Sequence, residues 1–173
     1  PDLRCFFSGG GIGVLPAVDW LRSSSLVLGN GVRCDETCLA APGIVAAGDL
    51  CEWPNPLYGE LMRVEQWEHA IEQGGHAGRR LLEPDDAGTP FEPVPWFWSD
   101  QYDRKIQMAG RARHDDEVEI VDGSIEERRF VALFRRGDRC TAVLGVNRPR
   151  HVIQLRMAMA EPLAWDDAVG RFR

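Results

Sequence analysis

Residues 83–95 read Glu-Pro-Asp-Asp-Ala-Gly-Thr-Pro-Phe-Glu-Pro-Val-Pro. Four prolines so close together remove four backbone donors and lock four φ angles, so neither a helix nor an interior strand can run through this stretch. The 173-residue chain is therefore divided near residue 95, and each piece must bury an apolar face of its own. At 44% apolar and 27% charged residues, it has the material to do so and does not have the composition of a disordered chain.

Upstream of the divide, residues 3–7 read as a short strand that runs into the cluster Gly9-Gly10-Gly11-Ile12-Gly13. Residues 19–24 suit a short helix, and Asn30-Gly31 within 27–32 predicts a tight hairpin. Gly43-Ile44-Val45-Ala46-Ala47-Gly48-Asp49 reads as a buried strand that stops where something must approach the backbone closely. Apolar or small residues at 64, 67, 71, 74, 78 and 81 predict one long helix over 64–82. Gly74-Gly75 in its middle is expected to touch another backbone, since each glycine costs a helix about 1 kcal/mol relative to alanine.

Downstream, strands are expected at 105–109, 118–121, 129–134 and 141–146, separated by turn signals such as Asp122-Gly123 and Gly137-Asp138; loops this short make the sheet antiparallel. Asn147 is placed to cap a helix over 149–160, with Pro149 in its first turn, and a second short helix is expected over 163–169. The pattern is an α/β piece followed by a small α+β domain.

The formal charge of −7 disfavours nonspecific binding to nucleic acid, which needs a cationic face. The distribution is uneven: residues 1–100 carry 6 basic and 15 acidic side chains, residues 125–173 carry 10 and 6. Five cysteines are an odd number in a chain too large to need disulfide staples, so they are expected to be reduced thiols in a cytoplasmic protein. Cys34 and Cys38 are spaced more widely than a redox Cys-x-x-Cys pair. The four histidines have no partners at metal-ligand spacing, and no metal is expected. No apolar run approaches the roughly 18 residues that a membrane span needs, and the first residues lack a signal-peptide pattern. The aromatic run Trp96-Phe97-Trp98-Ser99-Asp100-Gln101-Tyr102 suits a surface on which a planar ligand stacks.

Three segments, taken in order, carry a resemblance: Gly43 to Asp49; Met62-Arg63-Val64-Glu65-Gln66-Trp67-Glu68-His69-Ala70 with Gln73-Gly74; and Phe97 to Tyr102. Together they resemble the FAD-dependent NAD(P)H:ferredoxin reductases of the pyridine nucleotide-disulfide oxidoreductase superfamily, including those that serve oxygenases. The resemblance spans essentially the whole chain but only the later part of such an enzyme. The two Gly-x-Gly-x-x-Gly fingerprints for FAD and NAD(P) are absent from it.

The resemblance implies that residues 1–28 end the NAD-binding domain, 29–95 form the second segment of the FAD-binding domain and 96–173 form the C-terminal domain. It implies FAD as cofactor, NADH or NADPH as electron donor and a ferredoxin-type iron–sulfur protein as acceptor. Gly48, Asp49, Val64, Glu65, Gln66, Trp67, Ala70 and Trp98 would face the flavin, with Trp98 preferred to Trp96 for the place where nicotinamide stacks. Gly11, Gly13 and Glu65 would lie on the nicotinamide side. Arg104, Lys105, Arg111 and Arg113 are candidates for docking an acidic partner. No general acid and no catalytic side chain is implied, because hydride transfer to a flavin needs none. The chain alone is expected to be inactive, and surfaces normally covered by the rest of the enzyme could support self-association. The rival reading is a non-catalytic interaction or dimerisation module derived from such a reductase.

Overall fold

The computed structural model describes residues 14–84 and 86–173. The expected strand at 3–7, the glycine cluster with Gly11 and Gly13, and Cys5 lie outside the described residues. After a 3-10 turn at Asp19–Leu21, strands β1 (Leu28–Gly29) and β2 (Gly31–Arg33) close the hairpin expected at Asn30-Gly31. Gly31 has φ +139°, and a Cβ there would stand 2.4 Å from the carbonyl oxygen of Leu50, so only glycine lets these two backbones meet.

Strands β3 (Leu39–Ala41) and β4 (Ile44–Val45) form a separate two-stranded ribbon. This corrects the expectation of one buried strand over 43–49. Only Ile44 and Val45 are extended and paired, Ile44 is exposed, and Gly48–Leu50 coil into a 3-10 turn. Gly43 and Gly48 have φ of +70° and +74°, and bends at both ends leave too few residues for a central strand. Strand β5 (Cys51–Asn55) runs parallel to β2 and antiparallel to β6 (Glu60–Met62), giving the order β1-β2-β5-β6.

Helix α1 (Trp67–Arg80) begins three residues later than expected and turns a different face inward. His69, Gln73, Ala77 and Arg80 are buried, while Trp67, Ile71 and Leu81 are exposed. Both rows have helical spacing. The polar row goes inside because its groups find partners there: the Arg80 Nε–H donates to Thr37 Oγ1 at 2.8 Å, Gln73 bonds a turn described below, and His69 stacks on Trp53. Gly74 and Gly75 touch no second backbone: a Cβ at Gly74 would meet nothing within 4 Å, and one at Gly75 only the Arg79 guanidinium.

The proline-rich connection has no regular structure, yet it is pinned at several points. Phe91 is buried in the first core, where its N–H donates to the Glu36 carbonyl at 2.8 Å and its carbonyl accepts the Trp53 indole N–H at 3.0 Å. Val94 is buried in the second core, and the Pro95 carbonyl accepts the Gly110 N–H at 2.8 Å.

The second part opens with β7 (Trp96–Gln101), so the aromatic run is itself a strand. It continues through β8 (Arg104–Gly110), β9 (Glu117–Ser124), β10 (Arg129–Arg136), β11 (Arg139–Val146), α2 (Pro149–Ala158), β12 (Leu163–Ala164) and α3 (Trp165–Gly170). The sheet is antiparallel with order β7-β8-β11-β10-β9, and β12 pairs with β11. Val131, Leu133 and Val143 pack beneath it against Val152, Leu155 and Trp165.

Three local expectations are corrected here. Asp122-Gly123 is not a turn: it lies within β9 opposite Val131 and Phe130. Gly123 has φ +71° because a Cβ there would come within 2.0 Å of the Arg129 carbonyl oxygen, and the reversal falls at residues 125–128. Asn147 does not cap α2. It has φ +54°, and its Oδ1 accepts the Lys105 N–H at 2.9 Å, tying the helix entrance to β8. The last expected helix gives up its first two residues to β12.

Candidate functional site

The turn Gly48–Leu50 leans on the start of α1. A Cβ at Gly48 would lie 3.3 Å from Ala70 Cβ, and the Gly48 N–H donates to Gln73 Oε1 at 2.8 Å. Gly48 and Ala70, both among the residues that the resemblance singles out, thus lie side by side. Asp49 is exposed, and its carbonyl accepts a hydrogen bond from Arg63 Nη1 at 2.8 Å. Arg63 also forms an ion pair with Glu65 and donates to the Val14 carbonyl at 3.2 Å. This arginine joins the turn to the segment preceding the helix. Nothing in its spacing set it apart in the sequence.

Gln66 is the N-cap of α1, extended at φ −146°, and makes no side-chain capping bond. Its Oε1 is buried without a partner. The first N–H groups of a 14-residue helix therefore lack a side-chain cap at the N-cap position, and that end favours an anion or a polarised oxygen. It opens on a cleft of about 450 Å³ walled by Glu65, Gln66, Trp67 and Glu68 on one side and by Trp96, Phe97 and Trp98 of β7 on the other.

The two β7 indoles lie 5.0 Å apart, centroid to centroid, at 34°. The Arg156 guanidinium sits 5.3 Å over Trp96 and also pairs with Glu72 of α1 at 2.9 Å, so α1 and α2 brace the wall together. Trp67 is 74% exposed and Trp98 41% exposed, which is a surface and not a filled core. A smaller hollow of about 210 Å³ adjoins the cleft, shares Glu65, Gln66 and Phe97 with it, and adds Val64 and Arg111.

Glu65, Gln66, Trp67 and Trp98 therefore share one cleft, with Val64 next to it, while Asp49 is linked to it through Arg63 and does not line it. Trp96 and Phe97 belong to the wall as well. Trp96, ranked below Trp98 on sequence, stands beside it because the side chains are two residues apart on one face of a strand. Gln73 was read only as part of a motif, yet it anchors the Gly48 turn.

The four docking candidates separate into two pairs. Arg104 and Lys105 pair with Asp103 and Asp100 at the β7–β8 end. Arg111 and Arg113 both pair with Glu60, which also holds Arg136 at 3.2 Å. Arg136 in turn binds Asp116 at 2.7 Å, so this second pair belongs to an ion network joining β6 to the second sheet.

Beneath the helix entrance, His69 stacks on Trp53 with centroids 5.0 Å apart and lies tilted against Phe91 at 5.6 Å, and neither ring nitrogen has a hydrogen-bond partner. Burial pushes its imidazole down to about 4. The unfolded chain takes up this proton near the ordinary imidazole value and the folded chain does not, so stability falls as the pH drops from about 6.5 toward 4. At about 1.4 kcal/mol per pH unit, the loss reaches roughly 3 kcal/mol. Urea unfolding across this range is expected to show that slope in the native protein and to lose it in His69→Phe.

Residues 96–169 match the family described as Reductase C-terminal. The chain is 37% identical over 152 residues to the ferredoxin–NAD(+) reductase component of the anthranilate 1,2-dioxygenase system of Burkholderia cepacia, a match covering 87% of this chain and 36% of that protein. Among solved structures, Fdr9 superposes with a TM-score of 0.80 at 39% identity, covering 91% of this chain and 41% of that one. Putidaredoxin reductase, in its covalent complex with putidaredoxin, superposes at 0.76 with 30% identity, covering 87% and 35%. The chain is thus similar over most of its length to the ferredoxin–NAD(+) reductase component of an oxygenase system, and the match to the Reductase C-terminal family falls on its second part. It spans between a third and about two fifths of the length of these relatives. Among the described residues, no helix is long and apolar enough to cross a membrane.

Proposed function

We propose that this chain supplies the flavin-facing and partner-facing surfaces of an NAD(P)H:ferredoxin reductase. Residues 1–28 would close its NAD-binding domain, 29–95 form the second segment of its FAD-binding domain, and 96–173 its C-terminal domain. The observation that carries this reading is the meeting of an uncapped helix end with three indoles across one cleft.

The residues present fit a flavin. A side chain at Gly48 would crowd Ala70, and two buried polar atoms, Gln66 Oε1 and Trp96 Nε1, lack partners at the cleft. FAD, when bound, takes a hydride from NADH or NADPH and gives up electrons singly. Gly48 would let its chain pass close to the backbone, and Asp49 would accept hydrogen bonds from its ribityl hydroxyls. The N–H groups at the start of α1, from Trp67 on, would stabilise negative charge on the ring, with Val64, Glu65 and Gln66 shaping the approach. Trp98 would back the nicotinamide, orienting it and excluding water.

One relative is solved joined to putidaredoxin. A ferredoxin-type iron–sulfur protein is the corresponding partner here, and Arg104, Lys105, Arg111 and Arg113 would meet its acidic face. The pairs of Arg104 and Lys105 are with exposed carboxylates, and exchanging such pairs for a partner's carboxylates costs little. Arg111 and Arg113 would keep their largely buried partner Glu60 and meet the acidic face with their exposed portions.

In the complete reductase, Trp98→Ala is expected to keep stoichiometric flavin while slowing its reduction by NAD(P)H about tenfold, followed by stopped-flow bleaching. An unchanged rate removes Trp98 from the nicotinamide face. The 173-residue chain alone lacks the phosphate-binding turns and is expected to purify colourless. A yellow protein with one flavin per chain would overturn its assignment as an inactive part.

A further inference from the structure

Three thiols meet beneath the Gly48–Leu50 turn. Cys34 follows β2, Cys51 opens the parallel neighbour β5, and Cys51 Sγ lies 3.8 Å from Cys34 Sγ. The Gln73 Nε2 amide donates to Cys51 Sγ at 3.4 Å and to Cys38 Sγ at 3.5 Å, while its Oε1 holds the Gly48 N–H. Cys34 and Cys38 are spaced too widely in sequence for a Cys-x-x-Cys pair, and the fold puts Cys34 against Cys51. Among the described residues, no group of His, Cys, Asp or Glu is arranged to hold a metal.

We propose that Cys34 and Cys51 are an oxidisable pair that closes to a disulfide on reaction with a hydroperoxide, and that closing it loosens the Gly48–Leu50 turn through Gln73. Cys34 is the entry point: it is 6% exposed, whereas Cys38 and Cys51 are fully enclosed. The hydrogen bond donated by the Cys51 thiol holds the Cys34 thiol below its ordinary range, against the effect of burial, and favours its thiolate. The Cys34 thiolate attacks a peroxide oxygen, the O–O bond breaks, and the alkoxide leaves and is protonated to the alcohol, leaving a sulfenic acid. The Cys51 sulfur then attacks the Cys34 sulfur and the hydroxyl departs with the Cys51 proton as water. Two thiols and one hydroperoxide thus become one disulfide, one alcohol and one water, with two electrons passing from sulfur to oxygen.

The sulfurs must approach from 3.8 Å to about 2.0 Å. This draws Cys51 Sγ away from the Gln73 amide, and the group that holds the Gly48 N–H loses one of its anchors. Cys140, in the other core, has no thiol neighbour among the described residues, and burial pushes its thiol up to about 11. It is an internal control.

The test treats the purified protein, in a Cys5→Ser background, with tert-butyl hydroperoxide and maps its peptides after alkylation under unfolding conditions. The expected map shows one Cys34–Cys51 cross-link with Cys38 and Cys140 alkylated, and Cys51→Ser is expected to leave a dimedone-reactive sulfenic acid at Cys34. A link to Cys38, over-oxidation of Cys34 without a link, or alkylation of all four remaining thiols overturns the proposal, and the map of the unsubstituted thiols decides this without any core variant. Hydrogen exchange at the Gly48 amide is expected to be about tenfold faster in the oxidised form. Equal exchange in the two forms overturns the coupling.

Discussion

Trp53→Ala is expected to cost about 3–5 kcal/mol, the largest stability loss of any single truncation in the first core. The side chain is fully enclosed, its indole N–H donates to the Phe91 carbonyl at 3.0 Å, and its ring stacks on His69 and packs at a tilt against Phe91. Alanine leaves a cavity, an orphaned carbonyl and two unsupported rings at once. In a domain of this size the loss corresponds to roughly 10 °C in Tm, read by thermal unfolding. Trp53→Phe separates the contributions: it keeps most of the stacking, gives up the hydrogen bond, and is expected to cost about 1–2 kcal/mol. Equal losses for the two variants would mean that the indole N–H, and not the packing, dominates.

Gly48→Val is expected to abolish stoichiometric flavin in the complete reductase. Its φ of +74° penalises any side chain, and the Cβ would crowd Ala70 Cβ at 3.3 Å. The backbone penalty alone is about 1–2 kcal/mol. Valine adds two methyl groups where the cofactor's chain would have to pass, and a flavin affinity at least about tenfold lower follows, measured by equilibrium release of the yellow cofactor. Gly43→Ala is the matched control. Its φ is +70° and a Cβ there would meet nothing within 4 Å, so it bears the strain without the crowding and is expected to keep its flavin. If both variants lose flavin equally, backbone strain at positive-φ glycines explains the effect and the close approach at Gly48 does not.

How far each element could be read from sequence follows from the kind of signal it carried. The antiparallel strands of the second part were legible because alternation and short loops are local properties. Gly123 was misread because Asp-Gly is a turn signal only when nothing lies beside the glycine, and the Arg129 carbonyl that presses on it comes from the neighbouring strand. The inward face of α1 was misread for the same reason. Gln73 and Arg80 count as polar in any sequence pattern, yet their partners at Gly48 and Thr37 lie far along the chain and make burial tolerable. Glu65, Gln66, Trp67 and Trp98 could be picked out as motif residues and do share a cleft. Arg63 stands in the same motif, but its linking of Asp49 to that cleft could not be read there, because it depends on three loops converging in space.

The cleft has walls drawn from two different cores, α1 from the first and β7 from the second. Its width would wander if those cores could drift apart. Phe91 and Val94 forbid that. They are inserted into opposite cores three residues apart, and three residues of fully stretched chain reach no farther than about 10 Å. What divides the chain in the sequence is in the fold a short leash. The gap between helix and indoles is thereby bounded by chain length rather than left to the packing of two independent cores.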